Sequence, residues 1–364
     1  MLGEEIFSLG EVIHGSKKEK EVLRLIENSL PLKARKVEIT TREWMIKNFS
    51  FKINGKEVKA SLLPYTNGYV KGRVGKDVKV LEMPDHPFKI NSMYEEFSKS
   101  FSAIIFYDNG KLRRISVRGE KPALFSSILP KEGDLVEIEA ESELISTTSY
   151  NYEFELQPGE SYIVLGAHVD HWLTGYHDNI FSIELLFSMI KELKGLRHGV
   201  KLVFFSSEEG PRCCTGSYQH DKRDTFIMIS LDALYPNRVV FSSTPDLWKF
   251  SKYFNLKRVE MPTPYSDHFP YVVEGYPALV LYNDDLIPFY HSDADLPVEG
   301  DLEYLQNLQT SLLRLIREVD KLSNEELDKE FIKYAKSKGV EVKERRGSII
   351  PYGLTSKFRG ESQK

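Results

Sequence analysis

Hydrophobic and polar positions follow three different patterns in succession along the chain. Apolar residues recur at helical spacing over residues 4–12 and 18–30, which predicts two N-terminal helices. Between about residues 35 and 154, short stretches rich in β-branched and aromatic residues alternate with turn signals such as Asn-Gly, a pattern typical of strands joined by hairpins. Beyond residue 161, apolar strand-like runs alternate with helical stretches, which predicts a doubly wound parallel sheet.

The fold class predicted from these patterns is α/β: a doubly wound, mostly parallel sheet of mixed type with helices on both faces, plus a smaller β-rich inserted domain. The β-rich part has predicted strands at residues 69–74, 78–81, 103–107, 112–117 and 135–140, with residues 147–152 as the connector to the main domain. The main domain has predicted strands at residues 162–165, 200–205, 226–231, 238–241 and 278–282, and helices at 180–193, 245–254, 302–322 and 324–338.

The chain divides into four predicted segments. They are N-terminal helices that pack on the main domain (1–48), the β-rich domain (49–152), the main α/β domain (153–340) and a C-terminal tail (341–364). The basic pair Arg345 and Arg346 in the tail is interpreted as solvated surface.

Composition and charge exclude several classes of protein. The 364 residues are 41% hydrophobic and carry a formal net charge of −5, without a long basic cluster, so a nucleic-acid partner is not expected. No apolar run approaches the length of a membrane span, and the N-terminus is acidic where a secretory signal is basic. The sequence therefore predicts a cytoplasmic protein without a membrane partner.

The only two cysteines, Cys213 and Cys214, are adjacent and cannot join distant parts of the fold. The favoured interpretation is a pair of reduced thiols packed near the functional site. A vicinal disulfide and a metal-binding role remain open.

Metal-binding residue types follow the predicted strands at the edge where parallel α/β sheets bind ligands. Several carboxylates and two imidazoles at one edge would leave uncompensated negative charge unless cations filled the space. Ligands of this kind, without thiolates, suit two divalent ions, with zinc preferred and cobalt or manganese as alternatives. The candidate residues are His168, Asp178, Glu208, Glu209, Asp232 and His291.

The adjacent residues Glu208 and Glu209 can have different functions, because neighbouring side chains at a strand end point in different directions. One carboxylate can bind a metal while the other takes a proton from water. Metal-assisted hydrolysis requires that combination.

The order of these residues resembles the co-catalytic zinc aminopeptidase family, which includes bacterial leucyl aminopeptidases, glutamate carboxypeptidase II and glutaminyl cyclases. The resemblance covers about half of the chain, from residue 161 to about residue 322. The motifs that carry it are HxD at residues 168–170, DN at 178–179, EE at 208–209, an SDHxPF-like segment at 266–271 and YH at 290–291.

The resemblance implies a role for each candidate. Asp178 would bridge two metals, with Glu208 as the general base and Asp170 as a partner that orients His168. The remaining ligands would be His168 and Asp232 at one metal, and Glu209 and His291 at the other. The segment at residues 210–214 departs from the family pattern, which affects the expected pocket wall and not the ligands.

The β-rich domain resembles a protease-associated domain through residues 121–125, which are similar to its Pro-Ala-Val strand. A lobe that emerges before the first catalytic strand is expected to act as a lid and to contribute no metal ligand. Aromatic residues are expected near the rim of the site, where they would favour apolar N-terminal side chains: Trp172, Tyr176, Phe269, Tyr271 and Tyr290.

The function implied by the resemblance is that of a metal-dependent exopeptidase, and most directly an aminopeptidase that hydrolyses N-terminal residues of peptides. A metal-activated bridging water would attack the peptide carbonyl, with Glu208 as the general base. The alternatives are a carboxypeptidase, a glutaminyl-cyclase-like enzyme of the same fold, and a non-catalytic binding module. Peptides are the expected partners, and assembly as a homo-oligomer is left open.

Overall fold

The computed structural model describes residues 2–348, and its largest element is a twisted ten-stranded sheet. The strand order is β13-β12-β14-β11-β9-β10-β8-β1-β2, with β4 also paired to β8. The strands of this sheet are β1 (Arg35–Ile53), β2 (Lys56–Glu57), β4 (Gly68–Arg73), β8 (Leu135–Gln157), β9 (Tyr162–His168), β10 (Gly199–Phe205), β11 (Thr225–Leu231), β12 (Val239–Ser243), β13 (Leu256–Glu260) and β14 (Ala278–Tyr282).

The centre of this sheet is parallel, and both flanks are antiparallel. Strands β10, β9, β11 and β14 run parallel to one another, whereas β8 pairs antiparallel with β10 and β12 pairs antiparallel with β14. The central strands are buried along their whole length, as expected for strands covered on both faces. Within β9, Ile163 and Leu165 face one hydrophobic core, while Tyr162 and Val164 face a second one.

Helices cover both faces of the sheet, which confirms the predicted α/β class. Helices α1, α2, α4 and α7 contribute to the larger core on one face, and α6 packs in the core on the other face. The helices are α1 (Leu2–Ser8), α2 (Lys17–Ser29), α3 (Lys89–Phe97), α4 (Phe181–Met189), α5 (Thr215–Gln219), α6 (Phe269–Val273), α7 (Asp301–Val319) and α8 (Asn324–Ser337), with a π-helical turn at Tyr176–Ile180 and 3-10 helices at Ile190–Glu192, Pro245–Tyr253 and Asp284–Leu286. Within residues 2–348, none of these helices is long and apolar enough to cross a membrane.

The long strands β1 and β8 pair with each other over most of their length and extend beyond the main sheet into a separate lobe. A second sheet, of order β3-β7-β6-β5, packs on their outer halves through residues such as Phe51, Ile105 and Ile138. Helix α3 covers the other face of that small sheet. The remaining strands of the lobe are β3 (Ala60–Leu62), β5 (Val78–Glu82), β6 (Ala103–Tyr107) and β7 (Ala123–Ser126).

Residues 147–152, the predicted connector, lie within the continuous strand β8, which runs from the lobe into the main sheet. The strand predicted at residues 112–117 is wrong. Residues 112–117 form a loop, in which Arg113 makes an isolated antiparallel bridge to Ser292 of the main domain. This stretch has the apolar alternation of a strand, but its partners lie in the other part of the molecule. The four-segment division of the chain remains a prediction.

The interpretation of Arg345 as solvated surface is also wrong. Its guanidinium group is buried and makes two bonds to the buried carboxylate of Asp246, both 2.9 Å long. Arg346 donates to the carbonyl oxygens of Thr225 and Phe226 at 2.8 Å. These arginines therefore attach the segment that follows α8 to the edge of the main domain. Residues 349–364 of the predicted tail lie outside the described residues.

We expect Arg345→Met to destabilise the protein by roughly 3–5 kcal/mol, because it leaves the carboxylate of Asp246 buried without its partner. Urea denaturation would measure this loss. The double variant Arg345→Met/Asp246→Leu removes both charges and should recover most of the stability. If the single and double variants were equally unstable, packing and not charge would explain the effect.

Candidate metal centre

The candidate residues meet at the carboxyl edge of the parallel strands. Strand β9 ends at His168, and the pair Glu208 and Glu209 follows the end of β10. Asp232 follows β11 directly, and His291 lies in the loop after β14. Parallel neighbours end on the same side of a sheet, so four separate chain segments deliver polar side chains to one place.

The carboxylate of Asp178 lies at the centre of the cluster and faces a different histidine with each oxygen. Its Oδ1 lies 3.3 Å from Nε2 of His168, and its Oδ2 lies 3.3 Å from Nε2 of His291. The Nε2 atom of His168 also lies 3.4 Å from Oδ1 of Asp232, and that of His291 lies 2.7 Å from Oε1 of Glu209. The side chains therefore form two sets that share Asp178.

The donor atoms fit divalent metals in type and spacing. Two ligands of a tetrahedral zinc ion, each about 2.0–2.1 Å from the metal, lie about 3.3 Å apart. Oδ1 of Asp178 and Nε2 of His291 are buried, and within residues 2–348 none of their close contacts has the geometry of a hydrogen bond. Buried polar atoms without partners are costly, and a metal ion would satisfy both. Ligand atoms of His168, Asp178 and Glu209 lie within 4.8 Å of one another.

The electrostatics of the cluster also favour cations. Burial lowers the pKa of His291, but the carboxylates of Glu209 and Asp178 outweigh it and raise the value to about 10. Burial likewise lowers the pKa of His168, while Asp178 and Asp232 raise it well above its usual range. Burial raises the pKa of Asp178, and the two histidines lower it below its ordinary value. The site therefore attracts positive charge strongly.

Asp170 contacts the cluster through both its main chain and its side chain. Its carbonyl oxygen lies 2.8 Å from Nδ1 of His168, which leaves Nε2 of that ring facing Asp178. Its carboxylate accepts hydrogen bonds from the backbone N–H groups of Glu208 and Glu209, at 3.1 and 2.9 Å. Asp170 thus positions His168 through a carbonyl group and the Glu208–Glu209 pair through its carboxylate.

Three of the five aromatic residues predicted for the rim are buried, whereas Tyr176 and Tyr290 are partly buried. Trp172 is buried and donates from Nε1 to Oε2 of Glu209 at 3.1 Å, so it orients a candidate ligand. Phe269 and Tyr271 are buried in the second core of the main domain. Tyr290 stacks on the ring of His291 with a centroid distance of 3.6 Å. The exposed aromatic residues near the site are Phe88 of the lobe and Tyr265, whose ring centroids are 5.0 Å apart.

Sequence reasoning missed Asp295, which holds the segment containing Asp178. Its carboxylate accepts hydrogen bonds from the backbone N–H groups of His177 and Asp178 at 3.1 Å and contacts Nδ1 of His177 at 2.7 Å. The Nε2 atom of His177 lies 2.9 Å from Asp301, so this histidine contacts two carboxylates on a side away from the candidate ligands. No local pattern indicates this role, because Asp295 lies 118 positions from His177 in the sequence.

Sequence reasoning also missed the contact between the lobe and His291. The Nδ1–H group of His291 donates to the carbonyl oxygen of Arg114 at 3.1 Å, and the N–H group of Arg114 donates to the carbonyl oxygen of His291 at 2.9 Å. His291 has a left-handed φ of 52°, a conformation that costs about 1–3 kcal/mol unless its surroundings impose it. The lobe supplies that restraint and completes the surroundings of the ring.

The side chain of Arg113 reinforces the same contact. It donates to the carbonyl oxygens of Tyr290 at 2.6 Å and Pro288 at 2.5 Å, and its Nε donates to Asp108 at 2.7 Å. The guanidinium group is buried, so these bonds are shielded from water. The lid predicted from the sequence therefore also supports a candidate ligand.

We expect Arg113→Met to weaken metal binding at the position that includes His291 by about 10- to 100-fold, the usual cost of losing an outer partner of a ligand. Calorimetric titration of metal into the metal-free protein would measure this change. Arg73→Met is the matched control, because Arg73 lies on β4 of the lobe and donates to the carbonyl oxygen of Gly133. Equal metal affinities in all three proteins would contradict a supporting role for Arg113.

The favoured interpretation of the two cysteines as reduced thiols is wrong, because Cys213 and Cys214 form a vicinal disulfide in the structure. The backbone of Cys214 has a φ of 70°, and its N–H group donates to the carbonyl oxygen of Glu208 at 2.9 Å. This turn places both sulfur atoms against the side chain of Glu208. The vicinal disulfide was the alternative that the adjacent cysteines left open in the sequence.

Comparison with known proteins agrees with the fold. Residues 151–316 match the model of Peptidase family M28. The zinc aminopeptidase BSAP from Bacillus subtilis shares 14% identity, with 91% of this chain and 96% of that chain covered and a TM-score of 0.66. An aminopeptidase from Aneurinibacillus sp. strain AM-1 shares 16% identity over 96% of this chain and 95% of that chain, with a TM-score of 0.53.

A peptidase M28 precursor from Shewanella amazonensis SB2B shares 15% identity over 96% of this chain and 95% of that chain, with a TM-score of 0.61. No curated protein sequence matches the chain. The structural matches span the lobe as well as the main domain, so the whole architecture is shared. Over residues 151–316, the chain therefore carries a domain of peptidase family M28, built on the fold of these aminopeptidases.

Proposed function

We propose that this protein is a zinc-dependent aminopeptidase with a dinuclear metal centre. The observation that carries the proposal is the carboxylate of Asp178, whose two oxygens each lie 3.3 Å from a different histidine. One carboxylate with two separate sets of donors is the arrangement that a bridging ligand requires. The family match and the similarity to aminopeptidases of known structure support peptidase chemistry at this centre.

The proposal assigns the donors to two positions that share Asp178. His168 and Asp232 complete the first position, and Glu209 and His291 complete the second. Metal binding would displace protons from both imidazoles, because the carboxylates raise their pKa values. Affinity should therefore fall as the pH is lowered.

Glu208 is proposed as the general base, because it lies beside the donors without belonging to the His168–Asp178–Glu209 group. Two bound divalent ions would polarise the scissile carbonyl and acidify the attacking water. Glu208 takes the proton from that water and later delivers it to the amine that leaves. Burial raises the pKa of Glu208 above its usual range, although the neighbouring His168 lowers it.

The lobe is proposed to be a protease-associated-like lid. Its small sheet includes β7, which contains residues 123–125 of the stretch that resembles such domains. Phe88 at the surface of the lobe contacts Tyr265 and lies 6.4 Å from the ring of Tyr290, which stacks on His291. A lid in this position would restrict access to the metals and present aromatic surface to a substrate side chain.

Metal analysis of the purified protein, combined with assays on amino-acid p-nitroanilides and on N-blocked peptides, tests the function. Two metals per chain and cleavage of unblocked substrates alone would support the aminopeptidase. Cleavage of N-blocked peptides from the carboxyl end would indicate a carboxypeptidase, and cyclisation of N-terminal glutamine would indicate a cyclase. Binding without turnover would indicate a non-catalytic module. The cytoplasmic location and the lack of a nucleic-acid partner remain predictions from the sequence. The oligomeric state remains an open question.

A further inference from the structure

The two cysteine sulfur atoms lie against the carboxylate proposed as the general base. The Sγ atoms of Cys213 and Cys214 lie 3.2 and 3.3 Å from Oε1 of Glu208. Cys214 and Glu208 are both buried, and Cys213 is half-buried. In this disulfide form the two sulfur atoms and a carboxylate oxygen of Glu208 all lie within 4.8 Å of one another, so reduction would place two thiols beside that carboxylate.

The backbone fixes this cluster in place. The N–H group of Cys214 donates to the carbonyl oxygen of Glu208 at 2.9 Å, and the N–H group of Thr215 donates to the carbonyl oxygen of Ser207 at 3.1 Å. These hydrogen bonds close the turn that carries the side chains of Glu208, Cys213 and Cys214. The cluster is distinct from the donors around Asp178, because none of the ligands assigned to the two metal positions belongs to it.

We propose that the reduced pair Cys213 and Cys214, together with Glu208, binds a thiophilic divalent cation such as Cd²⁺ or excess Zn²⁺. A dithiol reductant first transfers two electrons and two protons to the disulfide and becomes a disulfide itself. The ion then forms bonds to both sulfur atoms and to the carboxylate, and the two thiols release their protons to solvent. Thiolates select such ions over magnesium or calcium.

Occupation of this site would inhibit the enzyme, and this consequence rests on the proposed function. A carboxylate lone pair that binds a cation cannot accept a proton from water. The disulfide form lacks thiolates and leaves Glu208 available. The redox state of Cys213 and Cys214 therefore decides whether thiophilic metals can reach the general base.

The test is a Cd²⁺ titration of the metal-loaded protein, before and after reduction with a dithiol, followed by ultraviolet absorption. Coordination of Cd²⁺ by thiolates produces a charge-transfer band, so the dithiol is removed before Cd²⁺ is added. The chain has only two cysteines, and the band then reports on this pair alone. We expect the band to saturate at one Cd²⁺ per reduced chain, with hydrolysis lost in parallel. The disulfide form should show neither effect.

Variants separate the parts of the proposal. Cys213→Ser and Cys214→Ser should each weaken Cd²⁺ binding by at least about 10-fold. Loss of a group that only orients a metal ligand already costs about 10- to 100-fold in affinity. Glu208→Gln should keep the band but bind Cd²⁺ more weakly, and this readout does not require activity. Absence of a band in the fully reduced protein would overturn the site. The link to the general base would be overturned if Glu208→Gln bound Cd²⁺ as tightly as the unchanged protein and if Cd²⁺ binding left hydrolysis by the unchanged protein intact.

Discussion

Glu208→Gln is expected to abolish most hydrolysis while both metals stay bound. The amide keeps the shape of the side chain but cannot accept the proton of the attacking water, and general-base catalysis is typically worth about 10²- to 10⁴-fold. The loss should appear in kcat, with metal content per chain unchanged. Measuring kcat on an amino-acid p-nitroanilide and metal content on the same preparation tests both halves of the expectation.

Glu209→Gln is the informative control, because Oε1 of Glu209 lies 2.7 Å from Nε2 of His291 and belongs to the group that could hold a metal. This variant should lose metal, and its activity should recover in part when metal is supplied in excess. Retention of activity by Glu208→Gln, or loss of metal from it, would mean that the two glutamates have exchanged roles.

Asp178→Asn is expected to weaken both metal positions together. The substitution removes one negative charge from between two dications and turns one carboxylate oxygen into an N–H donor that repels a metal. Loss of a group that only orients a metal ligand typically lowers metal affinity by roughly 10- to 100-fold. Asp178→Asn changes a ligand itself, so the affinity at each position should fall by more than that. Calorimetric titration of the metal-free variant would show two weakened binding events.

His291→Ala provides the contrast, because His291 belongs to only one of the two sets around Asp178. It should weaken one binding event and leave the other near its native value. If Asp178→Asn bound two metal ions with native affinity, the bridging assignment would be wrong. Neither His177 nor Asp170 could take over as the bridge in this structure, because their polar groups are engaged by Asp295 and Asp301, and by the backbone of Glu208 and Glu209.

The contact between the lobe and His291 changes what a lid can do in this protein. Arg113 and Arg114 hold the loop that carries His291, so displacement of the lobe would loosen a candidate ligand as well as open the site. Excision of the lobe should therefore lower metal affinity in addition to relaxing substrate length. A lobe that only shielded the site would leave metal affinity unchanged.

The sequence by itself determined the α/β class and the candidates at the ends of the central strands. The reason is that local periodicity encodes buried strands such as β9, and parallel strands bring their carboxyl ends to one edge. Position after such a strand therefore identified three candidates in the sequence: His168, Asp232 and the Glu208–Glu209 pair. The resemblance to a known family supplied the separate roles.

Only the tertiary structure decided how those residues are held. Arg114 and His291 are 177 positions apart, His177 and Asp295 are 118 apart, and Arg345 and Asp246 are 99 apart. No local pattern can encode contacts at such separations, because periodicity reports only which face of an element is buried. Residues 112–117 show the same limit: their alternation is that of a strand, but the partner available to Arg113 is a single residue of a distant loop, Ser292. The hydrophobic pattern thus placed the candidate ligands, and long-range hydrogen bonds oriented them.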